Sequence, residues 1–277
     1  MTAGDDAGRE HWNAAAANWR HYTSPLRPCA EDQATFLRFI AAHDPTGARR
    51  EALMLGVTPE IANLDWPQGV TVTAADRAPE MIKAFWPSER PALRPALCVD
   101  WFALPTPSTP YDLVLADGSF NLVDYPGDLR RLLDRLAGAV APGAMLITRT
   151  FTRPVEAESL SALEQAARAG RAGGFHAFKF RLAMAFQPSP EAGVSLGDVW
   201  RLWRRLDDEI DDLTTSNGWL PEQVRTIDLF RDKDVRLRFP TRDELTGVFQ
   251  AAGLTLVGSD TPTYEMGDRC PIMAWRF

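Results

Sequence analysis

Histidine and cysteine are scarce in this chain, with four and three of them in 277 residues. Cys29, Cys98 and Cys270 are too few and too scattered for a disulfide framework or a cysteine zinc motif, so they read as reduced thiols. No spacing of His, Asp and Glu suggests a metal site. Long apolar runs are missing too. None approaches the roughly 20 residues that span a bilayer, and the N-terminus is polar and acidic, so the expectation is a cytoplasmic protein without a signal peptide or membrane partner. Positive charge is also in deficit, at a formal net charge of −7. Arg201, Arg204 and Arg205 are followed at once by Asp207, Asp208, Glu209, Asp211 and Asp212, which argues against a broad nucleic-acid surface. The absence of a fixed-period repeat excludes a solenoid.

What is present is a series of short apolar runs ending in acids or turns. Residues 51–55 form a buried strand that stops at Gly56, and Val70 to Asp76 is a second strand stopping at an acid. Asp76 follows Gly56 by about 20 residues, a separation suited to a β-α-β unit that holds a nucleoside at the carboxyl ends of its strands. Gly56 permits the tight turn, and Asp76 can accept hydrogen bonds from ribose hydroxyls. A third run ends at Asp100 and Trp101, a fourth spans Tyr111 to Asp117, and a fifth spans Ala144 to Thr148 after the turn signal Ala141-Pro142-Gly143. Between the last two, Leu129, Leu132, Leu133, Leu136 and Val140 recur at helical spacing. Alternation of this kind predicts an α/β fold, a doubly wound, mainly parallel sheet with helices on both faces.

With these runs in order, the chain resembles a class I S-adenosylmethionine-dependent methyltransferase, over roughly residues 48–151 and again from Phe239 to the end. The resemblance implies S-adenosylmethionine as cofactor. Its methionine part falls on the first glycine loop, here Leu55, Gly56, Thr58 and Glu60; its ribose falls on Asp76 and its adenine amino group on Asp100, beside Trp101. It also implies a terminal antiparallel hairpin, matched by residues 254–258 and 272–277, after a helix from Thr241 to Ala252. The chain departs from the family at its loop. Thr58 and Glu60 stand where second and third glycines are expected, and Met54 replaces a common acid. Thr58 could compensate with its hydroxyl. Glu60 could either meet the ammonium of the cofactor's amino acid or serve as an acid near a helix start.

Two segments fall outside this core. The first is an alanine-rich helix from His11 to Tyr22, broken by Ser24-Pro25-Leu26-Arg27-Pro28. In the resemblance such a helix closes over the cofactor, making Trp19, Tyr22 and Arg27 candidate lid residues. Packing against the core is the competing role for each. The second, 152–238, is too long for a connection and predicts a helical cap, with helices over 156–169, 175–186 and 195–213. Leu196, Val199, Trp200, Trp203, Leu206 and Ile210 share one face of the last. His176 is the candidate general base in the cap and Tyr22 a second catalytic candidate on the acceptor side; a histidine packed inside the cap is the alternative. Asp117, after strand four, is a candidate cofactor-binding residue, at the position where the resemblance places residues between cofactor and acceptor. Asn121 and Arg27 are candidate substrate-binding residues, although Asp117-Gly118 also suits a turn.

The expected organisation is an N-terminal arm or lid over 1–47, a cofactor-binding core over 48–151, the cap over 152–238, and the rest of the core over 239–277. Three functions compete: methyl transfer to a small-molecule acceptor, a noncatalytic binding or regulatory protein retaining the fold, and a dinucleotide-dependent oxidoreductase. The last is disfavoured because the loop lacks G-x-G-x-x-G. Neither the acceptor atom nor the oligomeric state is readable from the sequence.

Overall fold

The computed structural model describes residues 3–43, 50–87, 89–209 and 212–277, the side chains of 3–7 excepted. Strands β1 (Arg50–Leu55), β2 (Val70–Asp76), β3 (Leu97–Cys98), β4 (Tyr111–Asp117) and β5 (Val140–Arg149) run parallel. Two short strands, β6 (Val194–Ser195) and β7 (Arg236–Leu237), form a separate antiparallel ladder in the cap. The hairpin of β8 (Thr255–Asp260) and β9 (Ile272–Arg276) completes the main sheet, β9 lying antiparallel to both β5 and β8. Its order is β3-β2-β1-β4-β5-β9-β8, so the winding reverses between β1 and β4. In doubly wound sheets that switch point, at the carboxyl ends of the strands, is where the ligand crevice lies. The expected doubly wound sheet, terminal hairpin and helical cap are all present.

Period-two alternation divides each central strand between two cores. Ala52 and Met54 of β1 face one cluster, with Phe36, Phe39 and Ile40 of helix α2 (Ala30–His43). Leu53 and Leu55 face the other, with Leu129, Leu132, Leu133 and Leu136. Those leucines form the inner stripe of α5 (Gly127–Ala137), beyond the short helices α3 (Pro59–Ala62) and α4 (Pro79–Phe85) that follow β1 and β2. Met54, the departure from the expected acid, is a buried core residue. Helix α1 (Ala3–Asn18) and a 3-10 turn (Trp19–His21) form the first part of the 1–47 segment, whereas α2 packs on the sheet. Where β8 passes α2, a side-chain carbon built on Gly258 would lie 2.6 Å from Phe39 Cε1.

A third cluster belongs to the cap: Phe175, Phe178 and Leu182 of α7 (Phe175–Phe186) meet Trp203 and Leu206 of α8 (Leu196–Glu209), Leu163 of α6 (Leu160–Arg168), and Trp219. Helices α9 (Leu213–Ser216) and α10 (Pro221–Val224) follow, and α11 (Arg242–Ala251) returns the chain to the sheet. A reciprocal capping box between Thr241 and Glu244 starts α11. The expected α7 boundaries coincide with the observed ones. Others move for identifiable reasons. The helix expected from 156 starts at Leu160 because Ser159 caps it through the Ala162 N–H. Val140 leaves α5 and opens β5, whose register against β4 shifts between Tyr111 and Leu113, so the expected turn at 141–143 lies within a strand. Ile210 and the expected boundary at 47/48 lie outside the described residues.

Replacing Phe36, fully buried, with Ala should cost about 3 to 5 kcal/mol of stability by urea unfolding. A change under about 1 kcal/mol would mean that α2 is not part of the folded core.

Candidate active site

The crevice is built from the ends of β1, β2 and β4. Gly56 turns out of β1 at φ +84°, and its N–H donates to the Ala75 carbonyl at 2.8 Å. A side-chain carbon there would sit 3.7 Å from the Trp101 ring and 3.8 Å from the Asp76 carboxylate, so glycine keeps that corner clear as well as permitting the turn. The Leu55 side chain is buried; its backbone carbonyl accepts from Ser119 Oγ at 2.9 Å.

Asp76 accepts from the Val57 N–H through Oδ2 at 2.9 Å and from the Ala78 N–H through Oδ1 at 2.8 Å. Burial pushes its pKa above the ordinary carboxylate value, against the pull of those donors and of Arg77. A carboxylate has about four acceptor sites, so two remain on Asp76. Asp100 caps a 3-10 turn through the Phe102 N–H at 2.9 Å and faces Arg77 at 3.5 Å. The Trp101 indole N–H holds the Ala75 carbonyl at 2.8 Å. Leu55, Gly56, Asp76 and Trp101 thus converge, with Asp100 at their edge.

Thr58 and Glu60 face different partners. The Thr58 hydroxyl donates to Asp117 Oδ2 at 3.4 Å, away from the glycine turn. Glu60 Oε1 accepts from Arg27 Nε at 2.7 Å and from the Trp19 indole at 3.3 Å, so the N-terminal arm is clamped onto the loop. Arg27 also donates to the Trp19 carbonyl at 3.2 Å. The other oxygen, Glu60 Oε2, is buried without a hydrogen-bond partner among the described residues.

Below this clamp lies Arg149, at the end of β5 and fully buried. Its Nε donates to Asp117 at 2.5 Å; Nη1 reaches Asp32 of α2 at 3.2 Å, the Pro25 carbonyl at 3.0 Å and the Tyr264 hydroxyl at 3.3 Å. Burial alone would lower the arginine's pKa, but Asp117, Tyr264 and Asp32 outweigh it and keep the guanidinium charged. Neither Arg149 nor Asp32 is among the residues expected from the sequence. A single arginine ending a buried apolar strand is the one local signal.

Three expected roles need correction. Asn121 is spent on the scaffold: its amide donates to the Phe151 and Arg238 carbonyls at 2.8 and 2.6 Å, and its oxygen accepts from the Phe151 N–H at 3.0 Å. No N–H is left for a substrate. His176 is buried in α7 with Nε2 at 2.9 Å from the His21 carbonyl, and burial, aided by Lys179, pushes its pKa down to about 3. The ring is therefore neutral, donating from Nε2 to that carbonyl with its lone pair on Nδ1, and has little drive to take a proton as general base. Tyr22 lies edge-on to it, 5.4 Å between centroids, and burial raises the phenol's pKa, so it keeps its proton.

Replacing Arg149 with Met strands two buried carboxylates and should cost about 3 to 5 kcal/mol by urea unfolding. A loss below about 1 kcal/mol would deny the network a structural role. For His176, the unfolded ring protonates below about 6.5 while the folded ring stays neutral to about 3. Unfolding free energy should therefore fall as pH drops through that window, and His176→Phe should flatten the decline. An identical pH profile in the variant would rule out this linkage.

No protein-family model matches the chain, and no curated protein matches its sequence. Solved structures do match its fold. DhpI, in complex with SAM and HEP, aligns at a TM-score of 0.57 with 16% identity, over 100% of this chain and 99% of the other. The 1,6-didemethyltoxoflavin N1-methyltransferase of Burkholderia thailandensis, with its acceptor and S-adenosylhomocysteine bound, gives 0.53 and 16% over 100% and 91%. A Rhodobacter sphaeroides structure, provisionally assigned to the Zn-dependent alcohol dehydrogenases, aligns at 0.64 and 14% over 97% and 98%. Among the described residues no group of three or more His, Cys, Asp or Glu is placed to hold a metal ion. Sheet order, antiparallel β9 and these alignments together give the chain the fold of class I S-adenosylmethionine-dependent methyltransferases.

Proposed function

We propose that the protein transfers the methyl group of S-adenosylmethionine to a small organic acceptor. The observation that carries this reading is Glu60 Oε2, a buried carboxylate oxygen beside the β1 loop that has no hydrogen-bond partner among the described residues. Such an atom is costly unless a donor meets it, and the cofactor's ammonium is a donor of the right charge. Asp76 fits the ribose, having two acceptor sites left. Trp101 offers a flat apolar face beside Gly56, and Asp100 lies within the same edge.

Bound there, S-adenosylmethionine supplies a methyl group on a cationic sulfur, open to in-line displacement. The chain's own contribution is placement and exclusion of water. Glu60 and Asp76 fix the two ends of the cofactor. Asp117, locked by Arg149, lines the sheet edge between cofactor and acceptor without freedom to swing. The arm, held by Trp19 and Arg27, is tied to the loop, with Tyr22 packed edge-on to Trp19. The net charge of −7 favours a small acceptor over a nucleic acid.

Calorimetric titration tests this directly. S-adenosylmethionine and S-adenosylhomocysteine should bind saturably and NAD should not. Asp76→Ala should weaken the adenosyl compounds by about 1 to 3 kcal/mol. Binding of NAD alone, or of none of the three, would sink the reading.

A further inference from the structure

The arm and the cap meet around a polar cluster that cofactor binding leaves unused. Helix α7 carries His176 and Lys179 three residues apart, on one face. Lys179 Nζ is fully buried and has no hydrogen-bond partner among the described residues. It is walled by aromatic rings, 4.8 Å from the centroid of Phe230, 5.4 Å from Tyr22 and 5.8 Å from Phe175. His11 of α1 enters from the other side, its ring 5.7 Å from Phe230. One of its nitrogens meets the Leu229 carbonyl, while Nδ1 is buried and unpartnered. Nδ1 of His176 is likewise buried and unpartnered.

Two helices, α1 and α7, therefore carry three unsatisfied polar atoms among these aromatic rings. Ring faces attract an ammonium but accept none of its hydrogen bonds in full. For stability alone, methionine or leucine at 179 would serve better than a buried charge without a counter-ion. Burial accordingly pushes the Lys179 pKa down to about 7 and that of His11 to about 4. The chemistry on offer is an amine that a bound oxyanion would hold protonated as N–H donor, and two neutral imidazole lone pairs for hydroxyl or N–H donors, set between flat apolar walls.

The enclosure adjoins the crevice. Tyr22, one of its walls, stands edge-on to Trp19 at 5.8 Å, and the Trp19 indole holds Glu60. Two of its contributors, His11 and Tyr22, belong to the N-terminal arm, so lifting the arm opens it. We propose that Lys179, His11 and His176 form the recognition site for the methyl acceptor, an organic molecule with an anionic oxygen flanked by a hydroxyl or N–H donor, of which a hydroxybenzoate is the simplest kind. This assignment rests on the methyl-transfer reading.

The test is titration of a panel of hydroxybenzoates and their uncharged amides into the wild-type protein and Lys179→Met, each with S-adenosylhomocysteine present, and of S-adenosylhomocysteine alone. Methionine keeps the length of the stem and removes the unpaired charge, so the variant should melt no lower than wild type. At least one acid should bind the wild type tenfold or more tightly than its amide. That preference should vanish in Lys179→Met, with S-adenosylhomocysteine affinity unchanged. Absence of any charge preference, or its survival in the variant, overturns the site. If S-adenosylhomocysteine binds but no acid is preferred, the recognition site falls and the methyl-transfer reading stands. If the Lys179-dependent preference appears but neither adenosyl compound binds, the anion site stands and the methyl-transfer reading falls with the acceptor role.

Discussion

A guanidinium buried at the end of β5 sets the frame for everything above the sheet. Taken out of water, Arg149 must have its charge and its N–H groups met, and the partners that meet them come from four separate parts of the chain. Asp117 comes from β4, Asp32 from α2, the Pro25 carbonyl from the arm's exit, and Tyr264 from the loop before β9. Tyr264 in turn donates to Asp32 at 2.9 Å, so the network closes on itself. Because one planar cation can satisfy these groups in few arrangements, the floor of the crevice and the root of the arm are positioned together.

This frame was the part least legible in the sequence. Strands β1, β2 and β4, the α5 stripe and α7 could be read because their apolar periods are local and face defined cores. Gly56 and Asp76 could be read because a tight turn and an acid about 20 residues later is a local pattern. Arg149 and Asp32 are 117 positions apart, and nothing near either reports the other. Asn121 shows the opposite failure. A polar residue just past a strand has the same appearance whether it faces a ligand or ties backbone groups, and only the positions of Phe151 and Arg238 decide. Thr58 and Glu60, read as replacements for glycine, prove to be joints: one to Asp117, the other to the arm.

The arm joins two environments of contrasting chemistry. Trp19 and Arg27 supply donors to a carboxylate, while His11 and Tyr22 stand near the buried amine of Lys179. The cap shares a hydrophobic cluster with Phe151, Phe239, Met266 and Cys270 of the core, and Lys179 and His176 sit on a helix of that cluster rather than a loop.

The close passage of β8 over α2 carries a consequence for how the sequence can change. Gly258 lies against Phe39, and any larger residue there would collide with the ring. Phe39 is itself buried in the cluster beneath the sheet, so it has little room to withdraw. Positions 39 and 258 are therefore coupled in one direction: bulk can be gained at 258 only if it is given up at 39, whereas a smaller residue at 39 leaves glycine at 258 tolerated.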